Sequence, residues 1–124
     1  MVAMAYKIER HRYGLVKRFS GVVSYEDVLK SEREVSAHSD YNTLRYVISD
    51  YIGAVYGGIT DDQQIDINAM RIGGHLANPR LKYAFVIQNP VVRAQIKDAV
   101  DSGLILHKAQ IFDTYEQAAQ WVGL

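Results

Sequence analysis

The sequence predicts an α/β fold. Its form is a mixed five-stranded sheet with an N-terminal β-hairpin and about four helices, in the order β-β-α-β-α-β-α-β-α. Three observations predict it. Period-two runs open the chain and give way to helical periodicity after Ser24. From there, apolar strand-like runs alternate with capped amphipathic stretches. No repeat, low-complexity tract or linker interrupts the alternation, so one domain over residues 1–124 is expected.

Met4 to His11 alternates Tyr6 and Ile8 with Lys7 and Glu9, the pattern of a half-buried strand. Arg12-Tyr13-Gly14 is a short connection, and Leu15 to Phe19 resumes the strand, closing at Gly21. Ser24 precedes two acidic residues, a helix N-cap with charges that favour the positive helix end. Tyr25, Val28, Leu29 and Val35 share one face of that helix, which should end near Ala37. Leu44 to Ile48 is a short β-prone run ending at Ser49-Asp50. Tyr51 to Gly58 then reads as a loop that is both glycine-rich and apolar.

Thr60-Asp61-Asp62-Gln63 caps a second helix carrying Ile65, Ala69, Ile72 and Leu76. Asn78-Pro79 ends its pattern. Tyr83 to Ile87 is a continuous apolar run, as in a strand covered on both faces. Asn89-Pro90 starts a helix with the stripe Val92, Ile96 and Ala99 or Val100, and Ser102-Gly103 ends it. Leu104 to Phe112 reads as the last strand. Thr114 caps a final helix holding Ala118, Trp121 and Val122.

The chain has 124 residues, 48% hydrophobic, with 14 basic and 14 acidic side chains. That balance argues against a nucleic-acid partner held by bulk charge. There is no cysteine, hence no disulfide, thiolate nucleophile or cysteine-ligated zinc. The N-terminus lacks the features of a secretory signal, and no apolar run approaches the ~20 residues of a transmembrane helix. A soluble cytoplasmic protein without cofactor is expected.

Few constellations suggest chemistry. His11, His38, His75 and His107 have no pairing at metal-ligand helical spacing, so no metal site is expected. His38-Ser39-Asp40 names a triad, but adjacent loop residues cannot converge, and turn chemistry accounts for them. Asp62 and Asp66 lie four apart on a helix whose first turn favours acids in any case. The Tyr51–Gly58 loop has no lysine and so no Walker pattern. Its aromatic and aliphatic residues suit a contact surface better. Asp50, Tyr51 and Tyr56 sit at the end of a central strand, where open α/β sheets place ligands.

Val47-Ile48-Ser49-Asp50, Ala84-Phe85-Val86-Ile87 and the tail Ile111 to Val122 resemble the SpoIIAA-like (STAS-like) superfamily, notably its small bacterial members. The Phe-Asp-Thr of Phe112–Thr114, with Trp121 behind it, is the most specific piece, and Ala37–Tyr41 is also similar. The resemblance implies the same sheet-and-helix fold. It also implies a regulatory role in which a Ser or Thr after the central strand, in an Asp-Ser-Ser-Gly-like context, is phosphorylated to block partner docking. Here Asp50 is followed by Tyr51-Ile52-Gly53, a departure from that motif. Thr60 and Ser49 are the phosphorylation candidates that remain.

The leading expectation is a non-enzymatic regulatory or interaction module. Its ligand or partner surface includes Asp50, Tyr51, Tyr56, Thr60 and Arg71. The alternative is a binder of a small apolar or lipid-like ligand, anchored by Tyr51, Asp50 and Arg71. An enzyme using Asp50 with His75 or an arginine ranks last, and no catalytic residue is assigned. A homodimer is the expected assembly.

Overall fold

The computed structural model describes residues 5–56 and 59–124. Strands β1 (Tyr6–His11) and β2 (Gly14–Val23) are followed by helix α1 (Tyr25–Ser36), a 3-10 turn (Tyr41–Thr43) and strand β3 (Tyr46–Tyr56). Helix α2 (Asp61–Ala77), β4 (Lys82–Val86), α3 (Pro90–Asp101), β5 (Lys108–Phe112) and α4 (Tyr115–Val122) complete the predicted order. The five strands lie in the sheet order β1-β2-β3-β4-β5. The β1–β2 hairpin is antiparallel and every later pairing is parallel.

The capping residues read from the sequence act as such. Ser24 with Asp27, Thr60 with Gln63 and Thr114 with Gln117 form reciprocal capping boxes. Asn89 accepts from the Val91 and Val92 amides, with Pro90 at the first helical position.

Alternation along the strands divides the core between two faces. Leu15, Phe19, Val47, Tyr83, Phe85 and Ile87 look toward Val28 and Val35 of α1, Ile67 of α2, and Val92 and Ile96 of α3. Val16, Ile48, Ala84 and Val86 look the other way, toward Ala118 of α4. Three helices therefore cover one face and the last helix covers part of the other.

Two boundaries differ from the sequence reading. Tyr51–Tyr56, expected as a loop, is strand. β2 runs on through Val23 and supplies backbone partners for residues 53–56, from Ser20↔Gly53 to Val23↔Tyr56. The pairing steps from Arg18↔Asp50 to Ser20↔Gly53, so β3 carries one extra residue opposite Phe19, a β-bulge. The glycines that suggested a loop serve the ribbon instead. Gly21 has φ +68°, and a Cβ on Gly53 would sit 3.3 Å from the Phe19 carbonyl oxygen. Gly57 and Gly58 lie outside the described residues. At the other boundary, β5 begins at Lys108 and not at Leu104, because the Leu104 and Ile105 amides turn back onto the Ala99 carbonyl at the end of α3.

Candidate functional site

The most unusual chemistry lies between the sheet and the helices α1 and α2. Lys17 on β2 falls between Leu15 and Phe19, on the inward-facing parity of the strand. Glu32 on α1 falls between Val28 and Val35 on the buried stripe, and Arg71 projects from α2. Lys17 is 0%, Glu32 3% and Arg71 2% exposed. Burying such groups is tolerated only where they are paired and hydrogen-bonded.

They are paired through one oxygen. Lys17 Nζ donates to Glu32 Oε1 at 2.5 Å and to Ser31 Oγ at 3.3 Å. Arg71 Nε and Nη2 donate to the same Oε1 at 3.2 and 3.0 Å. The Tyr83 hydroxyl reaches Glu32 Oε2 at 3.3 Å, and Arg71 Nη1 donates to Asn68 Oδ1 at 2.9 Å. The guanidinium also lies 5.0 Å from the Phe85 ring centroid and 5.7 Å from that of Tyr83.

Two cations thus share one carboxylate in the buried interior. Burial alone would raise the Glu32 carboxyl, but Arg71 and Lys17 overcome it and hold the pKa down at about 2. Burial lowers the Lys17 amine, and the Arg71 charge lowers it further, against the pull of Glu32. Burial pushes the Tyr51 phenol up to about 12 and that of Tyr83 well above its ordinary value. No atom of Lys17 reaches the surface, so the cluster is closed to substrate. Its effect is to fasten α1 and α2 to the sheet at a fixed spacing.

The residues expected to form one surface are divided by this core. Tyr51 is buried on the helix-covered face, stacked on Phe19 with ring centroids 4.5 Å apart, and Arg71 lies in the cluster just described. Neither faces solvent, contrary to expectation, because each fills space that the sheet and helices enclose. Asp50 is on the opposite face. It accepts from Arg18 Nη1 at 3.1 Å and, through Oδ1, from the Ile52 amide at 3.0 Å. Arg18 also binds Glu9 at 2.8 Å and lies 4.5 Å above the Tyr115 ring. Thr60 is exposed, its hydroxyl accepting from the Gln63 amide as the N-cap of α2. Ser49 is fully buried, beyond the reach of a kinase in the folded chain. Tyr56 closes β3 opposite Val23, and its side chain lies outside the described residues.

Lys17 and Glu32 were missed by sequence reasoning. The signal existed: a lysine at an inward strand position and a glutamate on an apolar helix stripe, each charge where the pattern demands an apolar residue. His107, one of the four histidines without metal-ligand spacing, is also buried. Its Nε2 lies 3.2 Å from the Asn78 carbonyl oxygen, and its ring is edge-on to His75 at 4.9 Å. Burial, then the neighbouring His75, push its pKa down to about 4. His38 Nδ1 accepts from the Asp40 amide, the local turn expected there.

Beyond Asp50 the ribbon of β2 and β3 outruns the sheet. β4 pairs with β3 only as far as Asp50↔Val86. Past that point Val22 and Val55 pair side by side at 71% and 63% exposure, with Ile52 also exposed. Neither 19–23 nor 51–56 contains a charge.

No family model and no curated protein matches the sequence. Solved structures do. The anti-sigma factor antagonist SpoIIAA in its unphosphorylated form superposes with a TM-score of 0.62 at 15% identity, over 94% of each chain. The Bacillus cell fate determinant SpoIIAA in its phosphorylated form gives 0.61 at 17% identity, over 95% of this chain and 99% of that one. No helix among the described residues is long and apolar enough to cross a membrane. At this identity the likeness is one of architecture, and it is nearly complete: the chain has the SpoIIAA fold.

Proposed function

We propose that this chain is a non-enzymatic regulatory module, a single cytoplasmic domain, that binds a protein partner at the free end of the β2–β3 ribbon beside the capped start of α2. The observation that carries this reading is the exposed, uncharged ribbon bearing Val22, Val55 and Ile52. Among the described residues the β3 edge beyond Asp50 has no strand partner, charge or proline, the usual protections against association, and apolar patches rimmed by polar residues mark contact sites. The fold likeness supports it, since SpoIIAA is named for antagonising another protein.

The closed Lys17–Glu32–Arg71 cluster supports a module whose surface, and not an internal cleft, does the work. A second copy is one partner that fits this surface, giving the expected homodimer. Thr60 is the one candidate hydroxyl that a kinase can reach, and a phosphate there would sit on the positive end of α2.

A photoreactive residue placed at Val55 in producing cells tests the site. A discrete adduct, whose second component is identified by mass spectrometry and which disappears with Val22→Asp, is the expected result. No adduct at Val55, with adducts forming from an equivalent probe at Lys97, would remove the reading.

A further inference from the structure

At the opposite end of the sheet, where the parallel strands begin, the register lines up cations. Tyr46 pairs with Lys82 and Lys82 pairs with Lys108. The Lys82 amide donates to the Arg45 carbonyl at 3.0 Å, and the Arg45 amide to that of Tyr13 at 2.7 Å. Lys82 and Lys108 therefore stand directly opposite each other on β4 and β5, and the backbone of Arg45, one residue before β3, continues the row beside Lys82. Arg12 at the hairpin turn and Arg80 just before β4 extend it. None of these five makes an ion pair among the described residues, although the chain has 14 acidic side chains to offer.

Like charges opposite each other on neighbouring strands are destabilising. Among the described residues the compensation is aromatic: the Lys82 and Lys108 ammoniums lie 5.1 and 5.9 Å from the Trp121 ring centroid, and Arg45 lies 4.5 Å from that of Tyr13. Beside Arg45 and Lys82 opens a cleft of about 600 Å³, lined by these two and Arg80 with Asn42, Thr43 and Val122. Among the described residues no carboxylate side chain lines it. The volume is that of a small-molecule site.

We propose that this cleft binds a small anion carrying two or more phosphate or carboxylate groups. Three cations line the cleft, more charge than one such group neutralises. Arg45 and Arg80 offer forked donors that match either oxyanion, and Lys82 adds a point charge. The Asn42 side-chain amide supplies a neutral donor, and Val122 supplies an apolar wall for an organic body. In a net-neutral protein, three cations without a salt bridge at one cleft focus field there and not along a stripe, which favours a compact ligand over a nucleic acid. This site lies across the sheet from the proposed partner surface and does not depend on it.

Trp121 is the only tryptophan and touches the row, so its fluorescence reports binding. Titration with pyrophosphate and, in a separate arm, citrate at low ionic strength distinguishes phosphate from carboxylate chemistry. At least one should give a saturable fluorescence change and a raised melting temperature. Arg45→Gln/Arg80→Gln/Lys82→Gln should weaken the binding by at least about tenfold, while Lys30→Gln/Lys97→Gln leaves it unchanged. Should the triple variant melt early, Arg80→Gln alone, at an exposed turn position, should still weaken it. The proposal is overturned by no saturable response up to about 10 mM of either anion, or by equal weakening in the control variant. Tighter binding of an oligothymidylate of about 20 nucleotides would also overturn it, assigning the face to single-stranded nucleic acid.

Discussion

Replacing Glu32 by Gln keeps the shape of the buried cluster and removes its only negative charge. Lys17 and Arg71 would then face each other across a neutral amide with no solvent to screen them. Removing one partner of a buried ion pair costs about 3–5 kcal/mol. The titration of Glu32 gives a consistent figure, because a carboxyl held at about 2 instead of 4.5 contributes about 3 kcal/mol at neutral pH. For a chain of this size that lowers the melting temperature by about 10–20 °C. The sign with pH follows from the depressed pKa. The stabilisation is complete above pH 4.5 and is lost as pH falls toward 2. Thermal and urea unfolding of wild type and Glu32→Gln between pH 7 and 3 checks both parts: the gap should be large at pH 7 and should narrow on the acid side. Lys17→Met should cost less than Glu32→Gln, since it leaves Glu32 and Arg71 as one anion with one cation. A Glu32→Gln variant melting within about 2 °C of wild type at pH 7 would refute the reasoning.

Three further outcomes follow from individual contacts. Tyr83→Phe removes the hydroxyl that donates to Glu32 at 3.3 Å and should cost about 1 kcal/mol in urea unfolding, less than any change to the charges themselves. Thr60→Ala deletes the α2 cap and should cost about 1 kcal/mol by the same measurement, with faster amide exchange in the first turn of α2. His107 has its folded pKa pushed down to about 4, below its ordinary 6.5, so its neutral form is stabilising above pH 6.5 and that contribution is lost as pH falls toward 4. His107→Phe should therefore flatten the stability profile between pH 6.5 and 4, read as the urea midpoint. A profile parallel to that of wild type would show that the ring is not held neutral.

The element order was legible because it rests on local signals. Ser24, Thr60, Asn89 and Thr114 cap helices through bonds to residues at most three positions away, and the strand at Tyr83 to Val86 declares itself by apolar continuity. The end of β3 was not legible. Whether Ile52-Gly53-Ala54-Val55 is loop or strand depends on β2, some thirty residues earlier, running far enough to pair with it. The same limit governed the candidate site. Asp50 and Tyr51 are neighbours in sequence, but successive strand residues point to opposite faces, so one meets Arg18 and the other stacks on Phe19.

By itself the sequence determined the layered α/β class, the helix starts and the absence of thiol chemistry. Periodicity, capping and composition are properties of short stretches of chain. Only the tertiary structure decided that Lys17, Glu32 and Arg71 meet on one carboxylate oxygen, and that Arg45, Arg80 and Lys82 line one cleft with no salt bridge among the described residues. Both arrangements join residues from separate stretches of the chain. Their charges cancel in the composition and become consequential only where register and burial fix which ones are neighbours.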